Sequence, residues 1–199
     1  RRWRNTCGPA RELAAQQRIE LLDEREHRFD AGCVRAHVGG NRLGDRPGGL
    51  RQVAVVADRI DQRALPLSAS YSYADGTAAV DAYVIDTGVL TSHTEFTGRL
   101  KNGFSTVSDG LGTSDCNGHG THVAGTIAGT LYGVAKTASI IPVRVLDCAG
   151  AGYTSDVIAG LDFVVQHHMA GVTAVANLSL GGSVSQALDD AIARVTADG

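Results

Sequence analysis

Large and distinctive side chains are scarce in this sequence. Methionine and tryptophan occur once each, as Met169 and Trp3, proline four times, and aromatic residues make up only 5% of 199 residues. A core must therefore be built from Val, Ile, Leu and Ala. No apolar run reaches the roughly 18 residues of a membrane-spanning helix. Near the N-terminus the longest apolar stretch is Val53 to Ala57, shorter than the roughly 7–15 residues of a secretory signal. Nor is there a basic excess: the formal net charge is −3, which gives no reason to expect nucleic acid or a membrane surface as partner. Apolar residues at 43% and charged ones at 20% describe a globular chain. Glycine is abundant at 25 residues, so the backbone turns tightly or approaches other groups in many places.

Charge divides the chain in two. Residues 1–57 hold 11 Arg, no Lys and 7 acids, a balance of +4, whereas residues 58–199 hold 7 basic residues and 14 acids, a balance of −7. Such asymmetry separates a leader, 1–57, from a domain, 58–199. Within the leader, Leu13, Ile19 and Leu22 are loosely periodic and Glu24 precedes Arg28 by four, so a helix is expected over 10–29. Glycines at 32, 39, 40, 44, 48 and 49 then read as loop, and the leader as a whole as poorly ordered. The chain starts at Arg1 without Met and stops at Gly199 directly after a helical pattern, so both ends read as cut.

Beyond residue 58 strands and helices alternate. Ala82-Tyr83-Val84-Ile85 is a buried-strand run closed by Asp86-Thr87-Gly88. Ile140 to Leu146 is a second run, in which Pro142 points to an edge position or a bulge, and Val172 to Leu180 is a third. Between them lie helical patterns: Val123, Ile127 and Leu131, with a ridge of small residues at Thr121, Gly125 and Gly129; then Val157, Leu161 and Val164; then Leu188, Ala191, Ile192 and Val195. This order predicts an α/β fold, a parallel sheet with helices on both faces, whose chemistry sits at the carboxyl ends of the strands. Asp86 stands at one such end.

Few residues are candidates for chemistry. Asp86 alone could equally be a turn former. His119, in Asn117-Gly118-His119-Gly120-Thr121-His122, opens a helix between two glycines that leave its imidazole uncrowded, as proton transfer needs. His122 reads as a core histidine bonded to the backbone. Zinc does not suit this pair, because the metalloprotease arrangement places His at i and i+4 with Glu between. His167 and His168, at a helix end, read as a solvated pair that compensates the dipole.

Six stretches in order resemble the subtilisin-like serine proteases, specifically the proteinase K and aqualysin branch. They are Asp58 to Arg63, Ala82 to Gly88, Asp115 to Gly125, Tyr132 to Lys136, Val143 to Asp147 and Asn177 to Gly182. The resemblance covers 58–199 and implies the three-layer fold of that family. It makes Asp86 and His119 the acid and base of an Asp-His-Ser triad. His119 would take the proton of a serine hydroxyl, and Asp86 would fix the imidazole tautomer and stabilise the imidazolium. It also makes Gly150-Ala151-Gly152 and Ser179-Leu180-Gly181 the two extended segments that sandwich a substrate backbone, a polypeptide, by strand addition. An ordinary turn is the other reading of each Gly stretch.

Further implications concern stability and compartment. Cys116 and Cys148 resemble a disulfide of the aqualysin branch, which implies an oxidising compartment and hence a secreted protein. Asp58, Asp61, Gln62 and Ser68 offer hard oxygens spaced like a calcium loop of this branch, with Ser70 where Asn is common. A solvated acidic turn is the alternative for that loop. A complete protein of this kind is expected to be a monomer.

Two departures shape the functional expectation. The Gly-Thr-Ser-Met-Ala segment that carries the nucleophile in this family does not occur among the 199 residues, and neither does the Ala-Ala-Gly-Asn segment that carries the oxyanion-hole Asn. Upstream of Asp58 the family has Trp-Gly-Leu where this chain has Val55-Val56-Ala57. The expectation is a catalytic domain truncated at its C-terminus behind an unrelated leader, with no recognisable inhibitory propeptide. Its function is either that of a serine endopeptidase encoded in part or that of a non-catalytic remnant with weak peptide binding.

Overall fold

The computed structural model describes residues 18–21, 60–66, 68, 70–73 and 80–198. In chain order the strands are β1 (Arg18–Leu21), β2 (Asp81–Asp86), β3 (Phe104–Ser105), β4 (Ser139–Arg144), β5 (Ala151–Tyr153), β6 (Ala174–Asn177) and β7 (Leu180–Gly181). The helices are α1 (His119–Ala128), α2 (Thr154–His167) and α3 (Gln186–Asp198), with a short 3-10 turn at Thr94–Phe96.

Strands β3-β4-β2-β6 form a parallel sheet in that order. Every residue of β2 is buried, as its unbroken apolar run requires for a strand covered on both faces. Alternation along the strand sends its side chains to opposite layers. Tyr83 and Ile85 join Ile141, Val143, Val157, Leu161 and Val164 under α2 and α3. Val84 joins Ile140, Val123, Ala124 and Ala128 under α1. The result is helix, sheet, helix, the layering expected from the sequence. From β2 the chain runs toward the β3 side and from β4 toward the β6 side, and such reversals open a crevice beyond the strand ends.

Several expectations are corrected. Of the two readings of Pro142, the edge position is corrected, since β4 lies between β2 and β3, and the bulge holds, with one extra residue on the β3 side. The neighbouring ladder is broken at that point: Leu100 bridges Ile140, and regular pairing resumes only at Phe104 opposite Val143. The proline, which has no N–H to give, sits at this gap. Residues 18–21 are a strand, not part of a helix over 10–29, because β1 lies between β5 and β7 and pairs antiparallel with both. The rest of the proposed leader helix lies outside the described residues. Gly125 does not serve close packing, since a Cβ there would meet nothing within 4 Å. His122 is exposed rather than in the core.

His167 and His168 are half-buried, and each ring has a partner. Tyr83 Oη lies 2.9 Å from His167 Nδ1. His168 binds Asp198 through Nδ1 at 2.7 Å and the Val172 carbonyl through Nε2 at 2.8 Å, tying the end of α2 to the end of α3. These two acceptors, the carbonyl first, hold the His168 pKa above its ordinary value.

Candidate active site

Asp86 is the last residue of β2 and is fully buried. A buried carboxylate must find donors. Its Oδ1 accepts the Thr87 N–H at 2.6 Å, and Oδ1 and Oδ2 lie 2.8 and 3.0 Å from His119 Nδ1. With Nδ1 as the donor, Nε2 is left as the basic nitrogen, the tautomer needed to accept a proton. The His119 side chain keeps 21% exposure, enough to face a ligand.

His119 is the first residue of α1, and its position depends on a glycine. A Cβ at Gly120 would stand 2.2 Å from the Gly88 carbonyl oxygen and 3.0 Å from Asp86 Oδ1. Only a bare α-carbon lets the first turn of α1 rest on the end of β2. The close approach expected of Gly125 is thus made here.

Thr87 and Asp115, which the sequence reading passed over, surround this pair. Asp115 Oδ1 accepts from Thr87 Oγ1 at 3.0 Å and from the N–H groups of Asn117 and Gly118, each at 2.9 Å. Its Oδ2 accepts from the Thr121 N–H at 3.0 Å and from Thr121 Oγ1 at 2.5 Å. The available signal was an acid two residues before Asn-Gly, where a side chain commonly caps a turn or helix start.

The groove segments come together around β1. Ala151 and Gly152 lie in β5, and Leu180 and Gly181 form β7. Glu20 is flanked by Ala151 and Gly181, Ile19 faces Gly152, and Leu21 faces Leu180. Gly150 is the turn before β5, at φ 74°, and Ser179 precedes β7 with its hydroxyl accepting from Asn177 Nδ2 at 2.9 Å. Gly152 has no room for a side chain: a Cβ would meet the Val145 carbonyl oxygen at 2.4 Å. Two short strands thus hold an extended peptide segment between them, and here the segment belongs to the chain itself.

Cys116 and Cys148 are joined in a disulfide with Cα atoms 5.0 Å apart. Asn117 Nδ2 donates to the Cys148 carbonyl at 3.1 Å, so the bridge braces the segment leading into His119. Beneath it, fully buried Arg144 binds Asp109 through two nitrogens at 2.8 and 2.6 Å, and Nη2 lies 3.3 Å from Cys116 Sγ. The guanidinium lowers the Asp109 pKa, chiefly by hydrogen bonding. Asp109, Cys116 and Cys148 are close enough to suggest a metal. The bonded sulfurs and the Arg-paired carboxylate leave no ligand free for one.

Of the calcium candidates, Asp58 lies outside the described residues. Asp61 Oδ2 accepts the Ser72 N–H at 2.5 Å, and Ser68 Oγ lies 2.9 Å from Ser70 Oγ.

The description "Subtilase family" matches residues 82–198. This chain belongs to the subtilase family. It is 59% identical over 135 residues to an extracellular serine proteinase of Thermus sp. (strain Rt41A), a match that takes in 68% of this chain and 32% of that protein. It is 50% identical over 141 residues to proteinase T of Parengyodontium album, covering 67% of this chain and 47% of the relative. A cold adapted subtilisin-like serine proteinase of known crystal structure shares 52% identity at a TM-score of 0.67, covering 72% of this chain and 52% of its own. The subtilase chain described here thus spans about a third to a half of the length of these relatives. Among the described residues, no helix is long and apolar enough to cross a membrane.

Proposed function

We propose that this subtilase chain carries the acid and base of a secreted serine endopeptidase, with Asp86 and His119 as two members of an Asp-His-Ser triad. The observation that carries the reading is the buried carboxylate at the end of β2 holding His119 Nδ1 at 2.8 Å. His119 Nε2 takes the proton of a serine hydroxyl as the hydroxyl attacks a peptide carbonyl, then returns it to the leaving amine. Asp86 holds the tautomer and stabilises the imidazolium without itself becoming protonated. The substrate is a polypeptide lying between Ala151–Gly152 and Leu180–Gly181, recognised through its backbone. The Cys116–Cys148 bridge supports secretion, since such bonds persist in oxidising compartments. The family's nucleophile segment does not occur in these 199 residues, and on this reading the 199-residue polypeptide alone does not turn over peptides.

One observation favours the second reading, peptide binding without catalysis. The groove accepts an extended strand, β1, and the family's Gly-Thr-Ser-Met-Ala segment does not occur in the sequence. A single assay separates the two. This chain joined to a subtilase segment that carries Gly-Thr-Ser-Met, the serine-bearing product, is given a chromogenic peptide beside its His119→Ala variant. Turnover abolished by the substitution and by a serine-directed inhibitor supports the protease. A folded product that binds peptide without turnover supports the binding module.

Calcium belongs to the same proposal. Asp58, Asp61, Gln62 and Ser68 would hold it by hard oxygens, with Asp61 already closing its loop onto Ser72. The ion would stiffen that loop and take no part in the chemistry. A melting temperature unchanged by chelator would remove it.

A further inference from the structure

We propose that Asp115 is a positioning residue that sets the Asp86–His119 contact through two threonine hydroxyls. The argument starts from the direction of each hydrogen bond. Ionised, the Asp115 carboxylate has no hydrogen to give, so both hydroxyls that reach it must donate. Thr87 Oγ1 donates to Oδ1 and Thr121 Oγ1 donates to Oδ2. Each hydroxyl then presents its lone pairs to a backbone N–H on the opposite element. Thr87, beyond the end of β2, accepts from the Gly120 N–H of α1 at 2.9 Å. Thr121, on α1, accepts from the Leu90 N–H in the loop after β2 at 2.9 Å. The strand end and the helix start are thereby laced together in both directions.

The lacing leads to the reacting groups. The N–H of Thr87 donates to Asp86 Oδ1, the oxygen nearest His119 Nδ1. Gly120 follows His119 directly, and the N–H groups of Asn117 and Gly118 just before it also donate to Asp115. One carboxylate therefore fixes the backbone on both sides of His119 and, through Thr87, the orientation of Asp86. A simple helix cap would need only the bonds to Asn117, Gly118 and Thr121. The bond to Thr87 serves no cap and spans 28 residues. Asparagine at 115 matches the shape but turns one oxygen into a donor, facing either Thr87 Oγ1 or the N–H and hydroxyl of Thr121. A hydroxyl forced to accept there loses the acceptor for its own hydrogen, and with it the bond that aims its lone pairs at Gly120 or Leu90.

This inference rests on reading Asp86 and His119 as the proton-transfer pair, but its test reads their hydrogen bond directly and needs no proteolysis. In the 199-residue chain labelled with ¹⁵N-histidine, the exchange of the His119 Nδ1 proton with water is measured by NMR. Thr87→Val and Asp115→Asn are expected to speed that exchange roughly tenfold or more, as for the loss of a charge-assisted hydrogen bond. Thr87→Ser, which keeps the hydroxyl, is expected to restore the parent rate. Thr126→Val, on the exposed side of α1, is expected to leave it unchanged. If Asp115→Asn fails to fold, the Thr87 pair decides the question. Unchanged exchange in a folded Thr87→Val protein, or equal acceleration in Thr126→Val, overturns the proposal. Absent proteolysis in the serine-bearing product, with these exchange results intact, would count against the proposed function and not against the positioning role.

Discussion

Two histidine–aspartate pairs in this molecule have nearly the same contact distance and very different surroundings. His119 Nδ1 lies 2.8 Å from Asp86 and His168 Nδ1 lies 2.7 Å from Asp198. Asp86 is fully buried at a strand end, whereas the Asp198 side chain is 34% exposed at a helix end. His168 faces acceptors with both ring nitrogens, Asp198 and the Val172 carbonyl, and satisfies both only as the imidazolium. The ring is a cationic clasp between two helices. His119 stands at the start of α1, a helix start held from several sides. Distance alone does not distinguish the two pairs; the burial of the carboxylate and the elements that hold each ring do.

The largest test of this contrast is the pair of aspartates. In the serine-bearing product, this chain joined to a segment that carries Gly-Thr-Ser-Met, Asp86→Asn is expected to lower kcat by roughly 10⁴-fold by favouring the wrong tautomer. Asp198→Asn should leave kcat unchanged; comparable losses in both would erase the distinction. Stability comes next. Replacing Cys116 and Cys148 by Ser opens a loop spanning 32 residues and is expected to cost roughly 3–4 kcal/mol in denaturant titration. That loss should loosen the His119 segment in hydrogen exchange and spare the His168 clasp.

The groove provides a smaller effect. Glu20 is flanked on both sides, so its N–H faces a paired strand in either direction. Glu20→Pro removes that donor and is expected to let a free extended peptide bind roughly tenfold more tightly, read by fluorescence titration. Unchanged affinity would show that β1 does not compete for the groove.

The smallest effect is in pH. The His168 pKa is raised in the folded state, so the stability from its clasp is complete below the unfolded value near 6.5. It is lost as pH rises through the higher folded value. Exchange at the α3 amides should therefore show faster opening on the alkaline side than pH alone produces. His168→Asn should abolish that difference.

The sequence made the centre of the site readable and left its support hidden. An apolar run ending in Asp-Thr-Gly reads as a buried strand with a carboxylate at its tip, which placed Asp86, while its pairing with His119 was legible only through the resemblance. Glycines on both sides of His119 marked an uncrowded imidazole. The groove segments were legible through family resemblance, because a glycine required by the Val145 carbonyl looks like any turn glycine in one dimension. β1 was misread because the loose 3.6-residue spacing of Leu13, Ile19 and Leu22 says nothing of two waiting strand edges over 130 residues away. Pro142 left an edge or a bulge open, and only the bulge holds, because the break in the neighbouring ladder is a property of another segment. Asp115 was passed over because five partners converge on it from three stretches of chain, and a turn-forming acid looks the same in sequence.

The central claim is that His119, and not merely any histidine paired with an aspartate, activates a serine. It is tested most directly by the rate at which a fluorophosphonate labels the serine-bearing product, this chain joined to a segment that carries Gly-Thr-Ser-Met. The account predicts rapid labelling in the parent and in His168→Ala, and labelling slowed by several orders of magnitude in His119→Ala. Labelling that persists at the parent rate in a folded His119→Ala protein would contradict it.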